Sequence, residues 1–176
     1  MQRQTLMTTC KWLPPLEICD NYANWKPYED KIYQIFLDDF VYSTPSYLGI
    51  NVRIRKSPII EGKEEAFWHI TSKDYFHVND RMPDPRRCER IRWIKKLIEN
   101  YDCISEECVF CDGIKVWSEP NNKNRIHILF EKERYMVVLE PRAKYYLLIT
   151  AFYFEYENTL RKKLEKYKKY RERSHK

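Results

Sequence analysis

The chain has only three glycines in 176 residues: Gly49, Gly62 and Gly113. A P-loop or a dinucleotide fingerprint needs several glycines close together, so neither can be built here, and the three serve as turn residues. No segment approaches the roughly 18 consecutive apolar residues of a membrane span. Met1-Gln2-Arg3-Gln4-Thr5-Leu6-Met7 lacks the apolar centre of a signal peptide. These absences point to a cytoplasmic protein with no membrane partner. In a reducing compartment its six cysteines read as thiols or metal ligands rather than disulfides. There is no His-Glu-x-x-His or deaminase-like pattern, which argues against catalytic zinc.

Positive charge is plentiful but unevenly placed. From Arg161 to Lys176 nine Lys/Arg face two Glu, a local charge of +7, so within the overall +6 the other 160 residues sum to about −1. Such an end suits nucleic acid or an acidic partner, and equally a solvated helix with internal Glu/Lys pairs.

Hydrophobic spacing predicts the elements. Pro14-Pro15 and Pro27 break any helix before Tyr28, with Trp12 and Trp25 lying against the main body. Ile32, Ile35, Phe36 and Phe40 recur at helical spacing in Tyr28 to Phe40. Tyr47 to Arg55 alternates as a half-buried strand, and Ala66 to Thr71 reads as a second extended piece. Pro83-Asp84-Pro85 opens a helix from about Arg86, with Ile91, Ile94, Leu97 and Ile98 as its inner stripe. Four strands follow, at Ile114 to Trp117, Arg125 to Phe130, Tyr135 to Leu139 and Tyr145 to Phe154; Leu160, Leu164 and Tyr167 then stripe a basic helix that frays before Ser174. The fold expected is α+β, with N-terminal helices packed on a four-stranded or larger antiparallel sheet and a basic C-terminal helix. Residues 1–60 form an extension packed on a core of residues 61–176.

Three residues stand out as catalytic candidates, His69, Thr150 and Tyr153, beside a cluster of arginines. Imidazole is matched to proton transfer near neutral pH, and His69 sits among apolar residues that would hold it, although a structural histidine would look the same. His77 is a second histidine nearby, His127 alternates onto a sheet face, and His175 lies in the tail. Arg81, Arg86, Arg87, Arg90 and Arg92 form the densest arginine cluster, able to grip phosphate or simply to solvate a helix face. Thr150 and Tyr153 put hydroxyls on the last strand, on opposite faces unless a bulge intervenes. Cys103, Cys108 and Cys111 have a C-x4-C-x2-C spacing, one thiolate short of a structural zinc site that Cys88 or a histidine would complete; free thiols fit the spacing as well.

Phe67-Trp68-His69-Ile70-Thr71, Pro83-Asp84-Pro85-Arg86-Arg87-Cys88-Glu89-Arg90-Ile91, Trp93-Ile94 and Ile98-Glu99-Asn100 come in an order that resembles the phage-borne branch of the barnase, EndoU, colicin E5/D and RelE-like nuclease superfamily. Ile114-Lys115-Val116-Trp117, Arg125-Ile126-His127-Ile128, Tyr135-Met136-Val137-Val138-Leu139 and Tyr145 to Phe152 continue it, so that residues 64–170 are covered. The resemblance implies a toxin-like endoribonuclease with no required cofactor, in which the substrate's 2′-hydroxyl attacks phosphorus. It implies His69 and Thr150 as site residues, with Arg90 or Arg92 and Tyr153 beside them. RNA is the implied substrate, and an inhibitor or immunity protein is a candidate partner. The competing expectations are a non-catalytic module that binds nucleic acid or protein through the basic surface, and a transferase using a nucleotide cofactor.

Overall fold

The computed structural model describes residues 10–73, 82–104 and 110–174. Helix α1 (Trp25–Phe40) buries Tyr28, Ile32, Ile35, Phe36 and Phe40, one stripe at the spacing that brings residues three and four apart onto one face. It ends where the Val41 amide bonds the Leu37 carbonyl. Strands β1 (Ser46–Tyr47) and β2 (Ile50–Arg53) make a hairpin, turned by Leu48 and Gly49 at positive φ. A small hairpin, β3 (Ile59–Ile60) with β4 (Lys63–Glu64), leads into helix α2 (Glu65–Thr71).

The segment expected to be extended at Ala66 to Thr71 is therefore helical. Short apolar runs fit a strand or a buried helix equally well, and here burial on almost all sides decides: Ala66, Phe67, Trp68, Ile70 and Thr71 are buried, leaving Glu65 and His69 toward the outside. The Trp68 indole N–H donates to the Ile60 carbonyl at 3.0 Å, and the Thr71 hydroxyl closes the last turn onto the Phe67 carbonyl at 2.8 Å.

Beyond β5 (Ser72–Lys73) and β6 (Met82–Pro83), which pair with each other, Asp84 caps helix α3 (Pro85–Cys88) by accepting from the Arg86 amide. Helix α4 (Ile91–Glu99) buries the predicted stripe Ile91, Ile94, Leu97 and Ile98 together with Trp93. Four strands then form an antiparallel meander: β7 (Lys115–Glu119), β8 (Arg125–Phe130), β9 (Tyr135–Pro141) and β10 (Tyr146–Tyr153). Helix α5 (Glu157–Ser174) closes the described chain and runs through Ser174 rather than fraying before it.

The fold is α+β, with helices largely ahead of the sheet. The main sheet has six strands in the order β1-β2-β10-β9-β8-β7, and it is mixed rather than wholly antiparallel, because β2 joins β10 in parallel through Tyr146 and Leu147. Its two faces bury different partners. Tyr135, Val137 and Leu139 of β9 join the core built with α1, α2 and α4, whereas Met136 and Val138 join a second core with Trp117, Phe154 and Leu160 of α5. A sheet covered on both sides needs apolar residues at successive positions, which is why β9 is buried from Tyr135 to Glu140.

The N-terminal extension is tied to this body. The Trp93 indole N–H donates to the Pro14 carbonyl at 2.8 Å and the Tyr28 hydroxyl to the Glu17 carbonyl at 2.7 Å, while the Trp12 ring lies 5.8 Å from that of Phe130. Among the described residues no helix is long and apolar enough to cross a membrane.

Candidate functional site

The cleft that matters lies along the outer edge of β10. Because β2 pairs only with Tyr146 and Leu147, the next stretch of that edge has no strand beside it, and α2 packs there instead. At the same place the ladder between β9 and β10 slips: Leu148 faces Leu139 and Thr150 faces Val138, so Ile149 is an extra residue in a bulge. Leu148 faces the α1–α4 core, whereas Thr150 pairs with Val138 of the second core and so turns to the α5 side.

A cavity of about 250 Å³ opens here, lined by Arg55, Ala66, His69, Arg125, Leu148, Ile149 and Thr150. His69 and Thr150, eighty-one positions apart in sequence, thus share one cleft. His69 is in the last turn of α2, and its side chain is 38% exposed. Its Nε2 lies 3.3 Å from Oε1 of Glu65, one helical turn back on the same face, and that oxygen also receives Arg55 Nη1 at 3.3 Å. The backbone carbonyl of His69 accepts from Arg87 Nη1 at 3.0 Å, which ties the helix end to α3. Thr150 is half-buried, and its hydroxyl makes no hydrogen bond among the described residues. Arg125 is held through Nε by Glu140 at 2.9 Å, which leaves its other guanidinium N–H groups for the cleft.

Arg55 and Arg125 therefore supply the cationic groups of this cleft, while the arginines singled out from the sequence are placed elsewhere. Arg90 packs over Tyr153 at 4.7 Å and over Trp93 at 5.0 Å, and donates to the Arg86 carbonyl. Arg92, on the outer face of α4, is ion-paired with Glu17. Tyr153 stays on the opposite face from Thr150, as period-two geometry requires once both lie beyond the bulge. Its ring is surrounded by guanidinium groups: Arg86 and Arg90 at 4.7 Å and Arg134 at 5.9 Å. Arg81 and His77 lie outside the described residues.

Nothing in the local sequence singles out Arg55, Arg125 or Glu65. Glu65 stands four residues before His69, a pair that becomes visible only when the segment is read as a helix. Arg55 and Arg125 terminate strand patterns that carry no chemical mark of their own.

Cys88 and the pair Cys103 and Cys111 lie in different surroundings. Cys88, the proposed fourth zinc ligand, is fully buried in α3, where its thiol donates to the Thr71 carbonyl at 3.4 Å and burial pushes its ionisation well up. Cys10 is the thiol that lies with Cys103 and Cys111: burial pushes the Cys10 thiol up, and those two neighbours push it the same way. Cys103 Sγ accepts from the Trp12 indole N–H at 3.5 Å. Cys108 lies outside the described residues, and among those described no group of three or more His, Cys, Asp or Glu is arranged to hold a metal ion.

A second polar group lies on the other face of the sheet. His127 of β8 is buried and stacked on Trp117 at 4.9 Å, with Lys163 Nζ 3.4 Å and Glu119 Oε1 3.5 Å from its Nε2. Burial holds the His127 imidazole down at about 4, and the Lys163 cation acts in the same direction. Burial opposes the charge on Glu119, yet its hydrogen bonds from Lys166 and Lys163 outweigh that and bring the carboxyl down to about 2. Neutral His127 and ionised Glu119 together dock α5 on the sheet.

The chain matches no family model, no curated protein and no solved structure.

Proposed function

We propose that this protein is an endoribonuclease of phage or mobile-element type that cleaves RNA without a metal, using the substrate's own 2′-hydroxyl as nucleophile. The observation that carries this reading is the shared cleft, in which one imidazole, one unengaged hydroxyl and two guanidinium groups converge. The ordered motifs of the barnase, EndoU, colicin E5/D and RelE-like resemblance support it. Attack of O2′ on phosphorus forms a 2′,3′-cyclic phosphate and breaks the bond to O5′. One proton leaves O2′ and one arrives at O5′. Holding both reacting groups in one substrate removes the need for an activated water.

Glu65, 3.3 Å from Nε2, orients the imidazole of His69, which acts as the base that takes the 2′-hydroxyl proton. Arg55 and Arg125 stabilise the charge that grows on the phosphorane oxygens, and Thr150 donates one hydrogen bond to them. The low-dielectric wall of Ala66, Leu148 and Ile149 strengthens each of these interactions.

Purified protein should cleave single-stranded RNA in the presence of EDTA, leaving cyclic phosphate ends. His69→Ala should lower kcat by about 10²- to 10⁴-fold, the usual worth of a positioned acid or base. Cleavage that is unchanged in His69→Ala, or that needs a divalent ion, defeats the proposal. RNA binding without cleavage by either protein would leave the docking-module reading.

A further inference from the structure

A second cavity lies at the far end of the sheet, between the last turns of α5 and the turn that joins β7 to β8. Its volume is about 400 Å³, inside the range of roughly 300–1,000 Å³ typical of small-ligand sites. Trp117, Pro120 and the ring of Tyr170 give it an apolar floor, and Asn121, Lys169 and Arg173 stand on its rim.

The charges of this rim divide into two sets. Lys163 and Lys166 are both engaged by Glu119, at 2.9 Å each, and serve to dock the helix. Lys169 and Arg173, one helical turn apart and exposed, make no ion pair or hydrogen bond among the described residues. Glu119 offers no net repulsion to an anion, because both its oxygens already hold ammonium groups. A half-buried tyrosine ring between two uncommitted cations, with an exposed side-chain amide opposite, fits a nucleobase with its flanking phosphates.

One cross-strand pair connects this cavity with the His69 cleft. Arg125, which lines the cleft, is the cross-strand partner of Glu119, which lines the cavity. Thr150 turns to the same side of the sheet that α5 covers.

We infer that the α5–β7 cavity is a subsite for a nucleotide of single-stranded RNA away from the scissile bond, with Tyr170 against the base and Lys169 and Arg173 on phosphate. The inference takes its ligand from the ribonuclease reading, but it can be tested apart from cleavage.

The probe is a fluorescein-labelled single-stranded RNA of twelve 2′-O-methyl nucleotides, which has no nucleophile and cannot be cut. Its binding is followed by anisotropy across a salt series. The double variant Lys169→Ala with Arg173→Ala should bind at least tenfold more weakly, and its log-affinity against log-salt slope should be shallower by about 1.4, since each contact to a single strand contributes about 0.7. Tyr170→Ala should weaken binding about 5- to 100-fold with the slope kept, as loss of stacking predicts. Arg161→Ala, on the same helix but outside the cavity, should change neither.

Failure of the full chain to bind the probe, or equal binding by the double variant, overturns the subsite. If the probe binds as inferred while unmodified RNA is never cut, the subsite stands and the ribonuclease reading falls. If short RNA is cut in EDTA while the probe does not bind, the reverse holds.

Discussion

Lowering the pH from 6.5 to 4 should destabilise this protein through one side chain, His127. In the unfolded chain the imidazole takes its proton near 6.5, whereas in the folded chain burial against Trp117 and the Lys163 cation hold it down at about 4. The unfolded state thus binds more protons throughout that interval, and stability, complete above 6.5, drains away as pH falls toward 4. At about 1.4 kcal/mol for each pH step of one, the loss is about 3 kcal/mol, a large share of the roughly 5–15 kcal/mol that holds a domain together. Glu119, the nearest carboxylate, overlaps this window only at its lower edge: its depressed value of about 2 puts its own contribution at risk below its ordinary 4.5, so the slope between 6.5 and 4.5 belongs to His127. Urea denaturation followed by tryptophan fluorescence at several pH values would measure the slope. His127→Gln, which keeps a polar group beside Lys163 but cannot titrate, should remove most of the loss over this range, whatever its stability at neutral pH. An identical slope in both proteins would refute the reasoning.

Three further outcomes follow from packing and hydrogen bonding. Thr150→Val keeps the shape of the bulged strand and removes one donor to an anionic transition state; kcat should fall about 10- to 100-fold with the melting temperature little changed, and an equal loss of stability would assign the residue to structure instead. Asp84→Ala deletes the cap of α3 and the carboxylate that lies 3.5 Å from Arg87 and 3.8 Å from Lys73, so chemical denaturation should report a loss of about 2 kcal/mol. Tyr135 buries its hydroxyl with no hydrogen-bond partner among the described residues, so Tyr135→Phe should be neutral or about 1 kcal/mol more stable, and a clear loss in thermal melting would reveal an unseen partner.

Local pattern alone determined the helical stripe of α1, the Asp84-Pro85 start of α3, the inner face of α4 and the four-strand meander, because period and capping act between residues close in sequence. It also brought His69 and Thr150 forward as candidates, each through the character of its immediate neighbours. Tertiary structure decided the rest. Ala66 to Thr71 became a helix because it is surrounded by core, and that in turn placed Glu65 behind His69. The parallel pairing of β2 with β10 ended after Leu147, leaving an edge where the bulge at Ile149 could open a cleft. Arg55 and Arg125 entered that cleft, and Arg90 and Arg92 did not, because a guanidinium is directed by the strand or helix that carries it and by the carboxylate that holds it. Neither influence is written in the residues on either side.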